Sequence, residues 1–161
     1  MVSVAAWLQA SALGHFMRES GPWTYAIVNL AHVLGLSTLF GSILVLDLRL
    51  LGLGRRVPLS AVSTAVVPVA TAGFLLAAAT GAGLLATKAT EYLGNPFLLI
   101  KFPAIALGLV NVAVFKRSRA WQAHHTRDLS QDEQRVLAIM GGLSLLCWLT
   151  AITAGRMIAY W

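Results

Sequence analysis

Residues 29–52 read NLAHVLGLSTLFGSILVLDLRLLG, an apolar run that carries one histidine, His32, and closes on Asp47-Leu-Arg49. An α-helix needs about 20 residues to cross the hydrocarbon core of a bilayer, so this run reads as a membrane span. Three more segments of the same character follow it, and the expected spans are 25–51, 61–87, 96–115 and 136–159. Of 161 residues, 58% are hydrophobic and 11% charged, and the mean hydropathy is +0.75. That is more apolar surface than a water-soluble core of this size can hide. Short connections join the spans, so consecutive helices are expected to lie side by side in opposite directions. The predicted fold class is all-α: an integral membrane antiparallel four-helix bundle, one transmembrane domain over residues 1–161.

Ahead of the first span, residues 4–17 set Val4, Trp7, Leu8, Ala12 and Phe16 against Gln9, Ser11 and His15. This spacing predicts a short amphipathic helix lying in the membrane interface. The segment lacks the early Lys or Arg of a secretory signal and is expected to belong to the mature protein. Cys147 is the only cysteine and falls midway through the last span; it reads as core filling. Gly73, Ala77 and Gly81 recur every fourth residue, as do Ala31 and Gly35, with Thr38 and Ser42 continuing the line. Such stripes let membrane helices approach closely.

The formal net charge is +6, but the cations collect in two connections. Arg49, Arg55 and Arg56 follow the first span; Lys116, Arg117, Arg119, Arg127 and Arg135 surround the link between the third and fourth. By the positive-inside rule both links face the cytoplasm of a bacterial inner membrane, with both termini on the outer side. The charge is therefore a topology signal, and no nucleic-acid partner is expected. No nucleophile-and-base set, phosphate loop or zinc spacing occurs, which sets hydrolytic enzymes aside.

His32, Lys101 and Arg156 fall within the outer halves of their spans. A Lys or Arg at the centre of a span costs roughly 2.5–3.5 kcal/mol, so such groups find a partner or snorkel. Of the six carboxylates only Glu19 and Glu91 lie on that side. Two readings follow: Lys101 and Arg156 reach outer headgroups or Glu91, or they neutralise an anionic cofactor such as a heme through its propionates. His32 either bonds a hydroxyl such as Thr80, Thr150 or Thr153, or serves as the axial metal ligand of a b-type heme. Gly35, Gly81 and Gly155 lie near the same depth and leave room for a flat macrocycle. His15 is a possible second ligand that reads first as exposed, and the adjacent His124 and His125 read as a solvated loop. Arg49 continues the Ala31, Gly35, Thr38, Ser42 line and is expected to face a neighbouring helix as an anchor or ion-pair partner.

The pattern RES-x-x-W-x-Y, then HVLGLSTLFGSILVLDLRLLGL, GFLLAAATGAGLL, NPFLLIKFPAIALGLVN and AGRMIAYW, resembles an uncharacterised family of small bacterial four-helix membrane proteins along nearly the full length. More distantly, a His followed by Arg-Leu in one helix and a Lys opening a later helix is similar to the HemJ-type protoporphyrinogen IX oxidase and to the membrane domain of copper-resistance D proteins. That resemblance implies heme b on His32, with Arg49 and Lys101 important for activity. Where the oxidase carries a histidine later in the lysine helix, this chain has Asn111, so heme attachment is implied more directly than the oxidase reaction.

The expected function is thus an inner-membrane b-type heme-binding protein engaged in electron transfer or a membrane redox step involving quinone or porphyrin. Its cofactor-binding residues would be His32, Lys101, Arg156 and Arg49. Its partners are the lipid bilayer and a quinone or redox partner, with a homo-oligomer left open. The alternative is a non-catalytic membrane scaffold or accessory subunit with a lipid-binding bundle. Copper transport is set aside because Met17, Met140, Met157 and Cys147 are scattered in depth.

Overall fold

The computed structural model describes residues 3–161, and every regular element among them is helical. In chain order these are α1 (Val4–Gln9), α2 (Ala12–Glu19), α3 (Pro22–Leu50), α4 (Leu59–Thr87), α5 (Pro96–Arg117), α6 (Arg119–Ala123) and α7 (Gln131–Met157), followed by a 3₁₀ turn at Ile158–Tyr160. Four helices, α3, α4, α5 and α7, are long and apolar enough to cross a membrane. Their bounds lie close to the expected spans. Large apolar side chains on them point outward, Leu99 at 70% exposure and Ile139 at 71%, an arrangement that requires an apolar solvent.

Local chemistry sets the helix ends. Pro22 and Pro96 open α3 and α5, where a missing N–H costs nothing. Ser130 caps α7 in a capping box with Glu133, satisfying two otherwise orphaned donors. At the end of α3, Leu53 N–H donates to Leu48 O at 2.9 Å and Gly52 N–H to Arg49 O at 3.2 Å. This double closure needs a left-handed residue, and Gly52 provides it with φ +108°.

The N-terminal segment departs from the single helix expected over residues 4–17. Ser11 breaks it: its hydroxyl donates to Leu8 O at 2.6 Å while accepting from Gly14 N–H at 3.2 Å. One side chain thus ends α1 and caps α2. The expected apolar face survives the break, with Val4, Trp7 and Phe16 all exposed. Gln9 is not on a solvated face, since its Oε1 accepts from Thr90 N–H at 2.9 Å and Thr90 Oγ1 at 2.7 Å.

The chain divides into two compact units: Met1–Leu39, as far as it is described, with Val69–Asn95, and Phe40–Pro68 with Pro96–Trp161. In the first, small residues bring α3 and α4 together backbone to backbone. A Cβ on Gly35 would stand 2.7 Å from Ala77 N, and one on Gly73 would stand 2.5 Å from Leu39 N. The pairing runs in opposite directions along the two helices, 35 against 77 and 39 against 73. Met17 of α2 is buried, lying against Gly83, whose Cβ would meet its sulfur at 3.5 Å. Arg18 donates to Ala86 O at 3.4 Å, supplying one of the donors that the last carbonyls of α4 lack.

In the second unit α5 pairs with α7, residue 108 against 147 and 148, and residue 101 against 155. Asn111 is buried and its Nδ2 donates to Met140 O at 3.0 Å. Leu50, Phe115, Ala120 and Leu137 form the buried cluster, with Leu46, Leu59, Trp121, Leu129 and Met140 packed against it. Cys147 is buried beside Gly108.

The close approach at Gly73 makes a definite demand. Gly73→Val is expected to lower the detergent-state melting temperature, at a cost of about 1–3 kcal/mol of the kind that overpacking brings. Gly41→Ala, at a position with nothing within 4 Å of the added carbon, should be neutral or stabilising by up to about 1 kcal/mol. Thermal unfolding followed by circular dichroism checks both.

Candidate functional site

His32 is one residue of the α3 face that Gly35 opens to α4, three positions away and therefore neighbouring on the helix surface. Its Nδ1 lies 2.9 Å from Ala77 O and 3.1 Å from Thr80 Oγ1. A carbonyl oxygen only accepts, so Nδ1 carries the proton in the neutral ring and Nε2 carries the lone pair. Thr80 fits this assignment, because its hydroxyl donates to Leu76 O at 2.6 Å and presents a lone pair to the imidazole. Gly81 gives the ring its seat: a Cβ there would stand 3.0 Å from Cε1. Thr80, one of the hydroxyls expected from the sequence, is in contact, and the Ala77 carbonyl joins it as a partner that no residue type signals.

Lys101, Arg156 and Arg49 belong to the second unit. Lys101 is half-buried on α5 and lies over Gly155 of α7, whose Cβ would stand 3.2 Å from Nζ. Arg156 is exposed, donates from Nη2 to the Tyr160 hydroxyl at 2.6 Å and sits 5.0 Å from the centre of that ring, a cation–π contact. Among the described residues neither cation forms an ion pair. The carboxylates expected on that side are occupied nearby in sequence: Glu91 pairs with Lys88 at 3.1 Å and Glu19 with His15 at 3.2 Å. That second pair puts His15 on an exposed helix turn.

Arg49 does not extend along the stripe toward another helix. Its Nε donates to Val57 O at 2.8 Å, fastening the α3–α4 loop. The buried polar residue at this end of α3 is Asp47, 3% exposed, with the Ser144 hydroxyl as its hydrogen-bonding neighbour and Oδ2 without a partner among the described residues. Asp47 stands in register with Gly35 and Leu39 at multiples of four residues, a line distinct from the one through Thr38 and Ser42.

His124 likewise is no solvated loop residue. It is buried because α6 places it on Trp121, rings 4.1 Å apart and stacked. Nδ1 donates to Trp121 O, and Nε2 accepts from Ser63 Oγ at 2.8 Å. Burial holds its pKa below the usual 6.5, with the nearby His125 adding in the same direction and the Trp121 carbonyl opposing. Among the described residues no three His, Cys, Asp or Glu converge as a metal-ion cage.

Compared with known families, the chain belongs to a family of unknown function, DUF6644, which matches residues 4–161. No curated protein and no solved structure matches it.

The His124 contacts set a sign. A base whose folded pKa is depressed leaves the unfolded chain binding more protons just below pH 6.5, so stability falls as pH drops through that window. Between about pH 7.5 and about pH 5.5, the wild type should therefore lose more melting temperature than His124→Gln, measured in the same detergent.

Proposed function

We propose that this DUF6644 member is a b-type heme-binding protein of the bacterial inner membrane, its four spans closing as an antiparallel bundle with both termini outside and His32 as axial ligand. The orientation is supported by the cations: Arg49 in the last turn of α3 with Arg55 and Arg56 in the loop after it, and Lys116, Arg117, Arg119, Arg127 and Arg135 from the last turn of α5 to the first turns of α7, account for eight of the twelve Lys and Arg residues.

The observation that carries the heme reading is the bond from His32 Nδ1 to the Ala77 carbonyl. Metal-bound histidines are held in this way, with the second nitrogen donating to a carbonyl or carboxylate that fixes tautomer and ring orientation. A single imidazole would suit iron that brings its equatorial ligands with it, as a porphyrin does. When bound, the heme supplies one-electron exchange, with a quinone or porphyrin as the class of partner. The chain's own contribution is to fix the proton on Nδ1, seat the ring against Gly81 and keep both in an apolar environment.

A second reading, a scaffold or accessory subunit with a lipid-binding bundle, draws support from the Thr80 contact, which satisfies a packing histidine equally well. The two separate cleanly. Under the heme reading, protein purified from heme-replete cells shows a Soret band that shifts with dithionite, and His32→Ala loses that band and the iron while keeping its helical signal. A colourless wild type sinks the heme reading. Under the scaffold reading, His32→Asn leaves assembly intact, and mass spectrometry finds lipid without porphyrin. Lys101→Ala against Lys88→Ala measures the share of the half-buried lysine, the first being expected to retain less heme.

A further inference from the structure

At the basic end of the second unit the chain forms an open-mouthed cavity of about 410 Å³, within the range of about 300–1,000 Å³ that small-molecule sites occupy. Four arginines line it: Arg49 from the last turn of α3, Arg55 and Arg56 from the following loop, and Arg127 from the link before α7. Asp128 is the one carboxylate among the lining residues. Arg127 is already paired, its Nη atoms donating to Glu133 at 2.8 and 2.6 Å. The other three form no ion pair among the described residues. Arg49 is held by its Nε on Val57 O, and Arg55 lies over Gly52, whose Cβ would stand 3.1 Å from its Nε. Three guanidiniums brought to one concavity with a single carboxylate repel one another unless something anionic joins them.

We propose that this cavity binds a phosphate group. The guanidinium fork matches phosphate oxygens in pairs, and charge-assisted bonds of that kind are the strong ones. The rest of the lining suits such a group: Ser60 and Gln134 add polar atoms, and His124 stands at the wall, while Leu50 and Leu59 give an apolar flank. A phosphate carried on a lipid headgroup and a free phosphorylated solute share this chemistry. The proposal does not rest on the heme reading, since His32 is not among the lining residues and a heme plays no part in it.

The test uses the full chain in an uncharged detergent. Dioleoyl phosphatidylglycerol in mixed micelles, dioleoyl phosphatidylcholine as a weakly held comparison, and inorganic phosphate are titrated separately, read by tryptophan fluorescence, to which Trp121 stacked on His124 contributes. Saturable binding of phosphatidylglycerol or of phosphate is expected, and Arg55→Gln/Arg56→Gln should weaken it by about ten-fold or more. Lys116→Gln/Arg117→Gln, at the same end of the molecule but outside the cavity, should stay close to wild type. Saturation by the lipid alone assigns the headgroup, and saturation by phosphate alone assigns a solute. Equal loss in both double variants, or no saturable binding of either probe, overturns the proposal. Arg55 and Arg56 carry the test because they are exposed and form no ion pair among the described residues, and an unchanged melting temperature in the double variant confirms that the fold is intact.

Discussion

A polar side chain inside a membrane-spanning segment has no water to fall back on, so its partner must come from the protein. In this chain that constraint is met at His32 by main chain rather than by a charged residue. The Ala77 carbonyl is already engaged in the α4 ladder, and it can take the imidazole proton only because α3 and α4 approach with no side chain between them at Gly35 and Gly73. The same missing carbons therefore do two things at once: they set the helix separation and they set the tautomer of the histidine. Removing either glycine's freedom moves both.

The second unit solves its contacts differently. There, side chains fill the space: Leu50, Phe115 and Leu137 form the buried cluster, Trp148 packs on Gly108, and Asn111 reaches a backbone carbonyl across the helix pair. Phe115 stacks near Trp121 at 4.3 Å, and Trp121 in turn covers His124. A chain of ring contacts thus ties the end of α5 to the link that follows it, and Ser63 ties that link to α4 through His124. The link is ordered by these contacts in spite of its polar composition, which is what gives the basic cavity fixed walls.

The spans were legible in the sequence because length and hydropathy are read residue by residue and need no partner. What each polar residue bonds was legible only where the partner is a side chain. Thr80 stood among three candidate hydroxyls for His32, whereas the Ala77 carbonyl is present in every residue and so stands out in none. His124 looked like loop because its burial depends on a serine sixty-one positions earlier. The α3 stripe was followed along Thr38 and Ser42 toward Arg49. The buried positions of α3 run through Leu39 to Asp47 and Leu50 instead, because four-residue steps drift around a helix of 3.6 residues per turn and the buried face turns along its length.

That turn also explains how Asp47 and Arg49 coexist two residues apart without pairing. Side chains at i and i+2 point to different sides of a helix, so the carboxylate goes inward to Ser144 while the guanidinium goes outward to the loop carbonyl of Val57. Had they been three or four apart, they would meet on one face, and Arg49 would be neutralised inside the protein. Because they do not, its positive charge stays at the rim with Arg55 and Arg56, where three guanidiniums and one carboxylate leave an excess that no side chain of the unit cancels. Helical spacing thus separates a buried acid from a half-buried base that faces the loop, and the basic cavity is the consequence.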